Sequence, residues 1–305
     1  MSVLTATRSL LKNTWFLTSS GFKQGYVFIH GTRVEDVGEE EPAPEYELAE
    51  LVYDFEGNAI VIHGYSIVVD LLEYVTRAIG QPDISTLTKQ EAKKLVEVGL
   101  VNAYMNGVTM PIAMSEHPEV VIDAARENGV RVGILAERGT VPSNPFAVVF
   151  EIDGSNIYYQ DKKLGSVDLI CRPYKLGKDC LFLNAKGYGN LLTAIEEAYR
   201  ALGDELESYR LLTQPYRLSE VDTGFVEKGV ASDILVYDLR NPLKVAPVLG
   251  EHVLYKVISR SQQPDVVFIG GDVFYEFGEN LAIPVVKVHE IAKKIKLKNM
   301  QQKQD

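Results

Sequence analysis

The sequence has little cysteine and no long apolar run. Only two of its 305 residues are cysteines, Cys171 and Cys180, which excludes a disulfide-rich scaffold. The pair could bridge, but we expect two reduced thiols, with Cys171 a buried thiol rather than a nucleophile. About 18 consecutive apolar residues are needed to span a membrane, and no such stretch occurs. Residues 1–11 lack the core and cleavage site of a signal peptide, so a cytoplasmic protein is expected.

Positive charge is also scarce. The chain has 31 Lys and Arg residues against 42 Asp and Glu residues, which gives a net charge of -11. A surface that binds nucleic acid or an anionic membrane needs clustered Lys and Arg, so we expect neither partner. The one basic run, residues 293–298, is expected to be the solvated face of a terminal helix.

Both ends of the chain have the composition of β-strands. Residues 26–30 and 33–37 are rich in β-branched and aromatic side chains and flank Gly31-Thr32, which predicts a hairpin. Residues 51–55 predict another strand. The chain is expected to be β again from residue 221 to residue 285, and residues 288–298 to form a final helix.

The middle of the chain alternates between helix and strand. A helix is predicted over 87–105, where Thr88 and Glu91 have the spacing of a capping box. A second helix is predicted over 116–128, capped by Ser115. Apolar strands are expected at 108–114 and 130–136, and strands that alternate with helices predict a parallel sheet. An antiparallel hairpin at 147–160 and one long helix at 190–209 are expected to follow.

This order predicts an α/β protein with two domains. Residues 1–59 and 213–287 are expected to form one composite β-sandwich domain, because strands occur at both ends of the chain. Residues 60–212 would form an α/β domain inserted into it, and residues 288–305 a terminal helix and tail.

Several segments carry motifs in a familiar order. The chain resembles the amidohydrolase superfamily, especially its cytosine deaminase, imidazolonepropionase and chlorohydrolase-like branches. The similarity lies in the apolar run, the Gly-Val-Thr strand, the return into the β domain and the last hairpin, which are residues 60–71, 107–109, 222–238 and 266–276. Residues 25–38 and 124–131 are similar to the family's opening hairpin and to one of its helix-to-strand steps.

The resemblance implies a TIM barrel that hydrolyses non-peptide C–N bonds with a metal-bound water. In that family a His-x-His motif on the first barrel strand holds the metal, but Val69 and Leu71 stand at those two positions here. The expected terminal aspartate is missing near residues 183–186. His63 precedes the first barrel strand and is expected to point away from the catalytic face. Residues 64–212 are also fewer than the ~250 that an eight-unit barrel takes. An incomplete or rebuilt TIM-like barrel is therefore expected.

Polar residues follow several of the predicted strands. Ligands of α/β folds bind at the carboxyl ends of strands, so we expect these residues to line a cleft for a small polar or anionic ligand. They are Asp70, Glu116, His117, Glu137, Arg138, Arg172 and Lys186. The alternative is that Glu116 and His117 belong to a solvated first helical turn and that Glu137 pairs with Arg138.

These observations predict a degenerate amidohydrolase-like protein with a non-catalytic role in ligand binding or assembly and no cofactor. The alternative is a metal-dependent hydrolase of non-peptide C–N bonds. It would bind zinc, iron or manganese through Glu116, His117 and Glu137, or through a partner subunit. A partial barrel would leave apolar surface to cover, so a homo-oligomer is expected.

Overall fold

The computed structural model of the chain describes residues 7–72, 87–115, 117–188, 190–240, 251–260, 262–281, 290 and 293. The first strands of these ranges are β1 Arg8–Thr18, β2 Gly21–His30, β3 Arg33–Gly38, β4 Leu51–Asp54 and β5 Ala59–His63. The last are β14 Ile234–Asp238, β15 Val266–Ile269, β16 Asp272–Glu276 and β17 Glu279–Asn280. Within the described ranges, no helix has both the length and the apolar character to cross a membrane.

Strands from both ends of the chain lie in one nine-stranded sheet. Its order is β17-β16-β15-β14-β5-β1-β2-β3, with β4 also paired to β1. The hairpin predicted around Gly31-Thr32 is confirmed as β2 and β3. All five residues of β5 are buried because its two faces contact two different apolar clusters, with Ile60 and Ile62 in one and Ala59 and Val61 in the other.

A second sheet is formed by the middle of the chain. Its strands are β6 Val68–Val69, β7 Ile112–Ala113, β8 Val132–Glu137, β9 Ala147–Asp153, β10 Asn156–Tyr159 and β11 Lys162–Ser166. The pairs from β6 to β9 are parallel and those from β9 to β11 are antiparallel. The predicted parallel sheet and the predicted hairpin at 147–160 are both confirmed.

Two further strands, β12 Ile170–Cys171 and β13 Phe182–Leu183, pair in parallel beside this sheet. The backbone N–H of Ala185 donates to the carbonyl of Val68 over 2.8 Å, which places the end of β13 next to β6. In the part of the chain that the structure describes, no strand pairing joins β11 to β12. The α/β class is therefore confirmed, whereas these strands do not close into a TIM barrel.

The apolar run at residues 60–71 contributes to both sheets. Residues 60–63 belong to β5 in the nine-stranded sheet, and Val68 and Val69 form β6 in the six-stranded sheet. One motif of the sequence therefore crosses from one sheet to the other.

The first two helices are α1 Lys89–Met105 and α2 Pro118–Glu127. The capping box of α1 is confirmed, since the N–H of Glu91 donates to Oγ1 of Thr88 over 3.2 Å and the Glu91 carboxylate accepts from the N–H of Thr88. The expected start of α2 was two residues early. Pro118 fits the first helical position because it lacks an N–H, and Ser115 instead accepts from the N–H of His117.

The single long helix predicted over 190–209 is wrong, since the chain forms α3 Leu191–Leu202 and α4 Glu205–Leu218 instead. Gly203 ends α3 in the left-handed conformation at φ 67°, and the Asp204 carboxylate then accepts from the N–H of Glu207 to begin α4. A further helix, α5 Glu251–Ser259, interrupts the region predicted to be β throughout. Of the predicted terminal helix, only Glu290 and Lys293 lie among the described residues, and both are helical.

The two cysteines form a disulfide, so the expected reduced thiols are wrong, as is the buried free thiol at Cys171. Cys171 ends β12 and Cys180 precedes β13. The Cα atoms of the two cysteines lie 5.9 Å apart, within the range for a disulfide. Reduced thiols would have supported the expectation of a cytoplasmic protein, and the disulfide removes that support.

Candidate functional site

Three predicted site residues meet where β6, β12 and β13 end. Nζ of Lys186 lies 3.7 Å from Oδ2 of Asp70, and Nη1 of Arg172 donates to the carbonyl oxygen of Lys186. The side chain of Asn184 accepts from the N–H of Lys186 over 2.9 Å, which fixes the turn after β13. The carboxyl ends of these strands therefore carry a small cluster of two cations and one carboxylate.

A small cavity of about 20 Å³ lies beside Asp70. Its walls are Val69, Asp70, Leu71, Gly99, Asn102, Ala103, Ala185, Tyr188 and Leu191. The Tyr188 hydroxyl donates to Oε2 of Glu197 over 2.6 Å, and burial, followed by that bond, raises the pKa of Tyr188 to about 12. The cavity has room for about one water molecule.

The α1 helix forms one wall of this cavity, and its Gly99 lies directly against the backbone of Leu71. A Cβ atom at Gly99 would stand 2.0 Å from the carbonyl oxygen of Leu71, so only glycine permits this approach. The width of the cavity on this side is therefore set by a contact between α1 and the backbone at Leu71.

The positions of the implied histidine ligands lie in the apolar core. Val69 is 3% exposed and Leu71 is 4% exposed, and both belong to the largest apolar cluster. Neither side chain has an atom that can bind a metal, whereas a catalytic zinc takes three protein ligands. Among the residues that the structure describes, no group of three or more His, Cys, Asp or Glu side chains is arranged to hold a metal. These residues do not fit the metal that the resemblance implies.

Two residues of the alternative metal set, His117 and Glu137, lie in different elements, at the start of α2 and at the end of β8. His117 is half exposed at the start of α2, where its Nδ1 is 3.6 Å from Oε1 of Glu119. Glu137 is exposed at the end of β8. Glu116 lies outside the described residues.

Arg138 is engaged by acidic residues of the neighbouring hairpin rather than by Glu137. Its guanidinium lies 3.0 Å from Asp161, 3.6 Å from Asp153 and 3.7 Å from Glu151. The same group is 5.0 Å from the ring centre of Tyr158. Arg138 therefore belongs to a surface ion-pair network and not to the cluster around Asp70.

A buried polar network lies between the two sheets. Nε2 of His63 is 3.2 Å from Oδ2 of Asp222, and both side chains are completely buried. Burial alone would lower the pKa of His63, but the hydrogen bond and charge of Asp222, followed by Asp233, outweigh it and raise that pKa. Burial would likewise raise the pKa of Asp222, but the bond from His63 and two backbone N–H groups lower it.

The second half of this network centres on Asp233. The Tyr216 hydroxyl donates to Oδ2 of Asp233 over 2.8 Å and lies 2.8 Å from Oγ1 of Thr109. The N–H of Gly270 donates to Oδ1 of Asp233, and Nη1 of Arg131 lies 3.9 Å from Oδ2. Burial, followed by the charge of Asp233, raises the pKa of Tyr216, so its hydroxyl stays a neutral donor.

The sequence did not identify this network as a unit. His63 and Asp222 are 159 residues apart, and a single sequence does not indicate that they meet. The available signal was the pair of aspartates, Asp222 and Asp233, within the C-terminal motif, because a carboxylate beside a buried strand needs a partner.

Solved structures show which fold this is. No protein-family model and no curated protein matches the chain. The atrazine chlorohydrolase TrzN from Arthrobacter aurescens TC1, solved with zinc, has a TM-score of 0.69 at 12% identity, covering 94% of this chain and 100% of that one. An adenosine deaminase from Xanthomonas campestris with bound zinc has a TM-score of 0.68 at 9% identity, covering 96% and 98%. An amidohydrolase from an environmental sample of the Sargasso Sea has a TM-score of 0.69 at 11% identity, covering 97% and 99%.

Because the sequence identities are only 9–12%, the similarity to these structures establishes the fold alone. The fold is that of amidohydrolases, which confirms the resemblance that the sequence motifs indicated.

Proposed function

We propose that this chain uses the amidohydrolase fold without metal-dependent hydrolysis, as a protein that binds a small ligand or takes part in an assembly. One observation carries the proposal: Val69 and Leu71 lie in the apolar core where the resemblance places two metal-binding histidines. Replacing both histidines with aliphatic side chains removes the atoms that would hold and activate a water.

The small space at the strand ends supports the part of the proposal that excludes hydrolysis of a substrate there. Pockets for small molecules have volumes of roughly 300–1,000 Å³, whereas the cavity beside Asp70 has about 20 Å³. The contact of Gly99 with Leu71 holds α1 over it. A substrate larger than about one water molecule does not fit the cavity beside Asp70.

Metal analysis of the chain purified without chelators tests the proposal. We expect less than about a tenth of a metal ion per chain, unchanged after addition of zinc, manganese or iron, because a bound metal needs three or four ligands. Stoichiometric metal that is lost in the His117→Ala variant would contradict the proposal. His30→Ala is the matched control, since His30 is exposed and pairs with Glu35 in the other sheet.

The second candidate is a metal-dependent hydrolase of non-peptide C–N bonds. Its support is that two of the similar structures contain zinc, in a chlorohydrolase and a deaminase. It would require ligands from Glu116, His117, Glu137 or a partner subunit. Metal retained by the wild-type chain and lost on His117→Ala would favour this candidate.

The domain division is also a proposal. Strands of the nine-stranded sheet come from residues 8–63 and 234–280, which supports a composite domain from residues 1–59 and 213–287. The six-stranded sheet supports residues 60–212 as a reduced remnant of a TIM barrel, followed by a tail at 288–305. Limited proteolysis tests it, and a stable fragment spanning the middle of the chain is the expected product.

A homo-oligomer is proposed from exposed apolar side chains at a sheet edge. Phe277 and Leu281 flank β17, an end strand of the nine-stranded sheet, and are 53% and 52% exposed. The strand at the edge of a sheet has unpaired backbone groups that can pair with another chain, and exposed apolar side chains beside it favour such a contact. Light scattering after gel filtration should give a multiple of 33.9 kDa. The Leu281→Lys variant should have a lower mass in this measurement. The mass of the Leu48→Lys variant, which changes another exposed leucine, should stay that of the wild type.

A further inference from the structure

A groove runs along α4 from Glu207 to Arg217, apart from the cavity and the buried network described above. Its volume is about 310 Å³, close to the lower end for small-molecule sites. We call it the basic groove, and it is lined by Gly177, Lys178, Leu202, Glu207, Arg210, Leu211, Gln214 and Arg217.

The basic groove carries an excess of positive charge on a chain of net charge -11. It has three cations and one carboxylate, and that carboxylate is already paired, with Nη1 of Arg210 2.5 Å from Oε1 of Glu207. Lys178 and Arg217 have no ion-pair partner in the described part of the chain. Two cations therefore line the groove without an anion to balance them.

Arg217 is held towards Arg210 by its own hydrogen bond. Its Nη2 donates to the carbonyl oxygen of Arg210 over 3.0 Å, which leaves the other guanidinium N–H groups for a ligand. Desolvation, followed by the charge of Arg210, lowers the pKa of Arg217, and the charge of Glu207 offsets this only in part. A bound anion would offset both costs because it supplies negative charge beside the guanidinium of Arg217.

The groove shares no lining residue with the cavity beside Asp70. Gly177 and Lys178 precede β13, whereas Lys186 follows it. The disulfide between Cys171 and Cys180 closes the loop that carries Lys178, and the N–H of Gly177 donates to Sγ of Cys180 over 3.2 Å. Both walls of the groove are therefore fixed, one by the disulfide and one by α4.

We propose that the basic groove binds a small molecule bearing a phosphate or pyrophosphate group, through Lys178, Arg210 and Arg217. The guanidinium fork matches the oxygens of a phosphate, and lysine adds a point charge. The groove is distinct from the strand ends, so this proposal does not depend on whether catalysis is lost.

Isothermal titration calorimetry of the full chain at low ionic strength tests the proposal. Low salt is used because screening weakens contacts between exposed charges. Pyrophosphate, inorganic phosphate and citrate are titrated separately, and pyrophosphate should bind most tightly. Arg217→Gln and Lys178→Gln should each weaken pyrophosphate binding about tenfold, the loss of one charge-assisted hydrogen bond.

The matched control is Arg200→Gln. Arg200 is exposed on α3, pairs with Glu196 at 2.5 Å and lies outside the groove, so its loss should leave binding unchanged. Equal weakening by Arg200→Gln would show diffuse attraction to the surface and overturn the proposal. Tighter binding of citrate would overturn the phosphate assignment, and a dissociation constant above about 10 mM for pyrophosphate would overturn the site itself. Thermal melting of each variant confirms that the fold is intact, and none of these results bears on the metal content.

Discussion

Nε2 of His63 lies 3.2 Å from Oδ2 of Asp222, and neither side chain has any exposed surface. Nδ1 of the same ring lies 3.0 Å from the carbonyl oxygen of Gly64. A carboxylate and a carbonyl both accept, so below the raised pKa of His63 both ring nitrogens donate and the ring carries a positive charge. A buried ion pair therefore joins the end of β5 to the segment that leads into β14.

This pair predicts a pH dependence of stability. The pKa of His63 is raised above its ordinary value of 6.5. The contribution of protonated His63 to the free energy of unfolding is therefore complete below about pH 6.5 and is lost as the pH rises through the pKa of the folded state. The lowered pKa of Asp222 acts in the opposite range, and its contribution is lost as the pH falls below about 3.8. Urea denaturation between pH 5 and pH 9 should show a free energy of unfolding that declines above about pH 6.5.

The His63→Gln variant should remove that decline. Leaving Asp222 buried without its cation should cost about 3–5 kcal/mol, the usual result of breaking a buried pair. His30→Gln is the control, because His30 pairs with Glu35 at the surface and should change stability by less than about 1 kcal/mol. A variant whose stability still declines above pH 6.5 would show that another group is responsible.

Loss of the Tyr216 hydroxyl should destabilise the chain. Tyr216→Phe removes a donor from Asp233 and a partner from Thr109, both of which are buried. The expected cost is about 1–3 kcal/mol, measured by urea denaturation. Tyr174→Phe provides the comparison because Tyr174 is 65% exposed, and an equal loss in both variants would contradict a specific role for the network.

The disulfide between Cys171 and Cys180 should stabilise the chain through its short loop. A loop with a sequence separation of 9 predicts about 2–3 kcal/mol from the entropy of the unfolded chain. The double variant Cys171→Ser, Cys180→Ser should lose this amount and become insensitive to reductant. Mass measurement after alkylation checks the bond, and two alkylated cysteines in the non-reduced wild-type chain would contradict it.

Introducing histidines at positions 69 and 71 should not create a metal site. In the double variant Val69→His, Leu71→His, two imidazoles would enter an apolar core beside a cavity of about 20 Å³. Burying each without a partner should cost about 1–3 kcal/mol, and a metal would still lack a third ligand. Thermal melting and metal analysis check the result, and one bound metal ion per chain would contradict it.

Local signals in the sequence predicted much of the fold. The capping box at Thr88 and Glu91, the hairpin at Gly31-Thr32 and the parallel sheet were all recognised because each depends on residues close together in the chain or on apolar periodicity. The prediction of a single helix at 190–209 is wrong for a local reason as well. Gly203 ends α3 and Asp204 begins α4, but the spacing of apolar residues continues across these two positions.

The site was less predictable because it depends on distant contacts. Asp70, Arg172 and Lys186 meet because the end of β13 lies beside β6, a pairing between segments more than 100 residues apart in sequence. Arg138 and Glu137 also lie at the end of a strand and His117 at the start of a helix, but these three residues are not part of the cluster of Asp70, Arg172 and Lys186. Apolar patterns identify the strands but do not specify which of them become neighbours.

At Gly99, the contact between α1 and the end of the strand is made by backbone atoms. A Cβ atom there would overlap the carbonyl of Leu71, so α1 contacts the strand end with no side chain between them. Exchanging the side chains around the cavity would therefore leave this backbone contact in place. Widening the cavity on this side would require α1 itself to shift outward, which is a change of backbone position that the exchange of a single side chain does not supply.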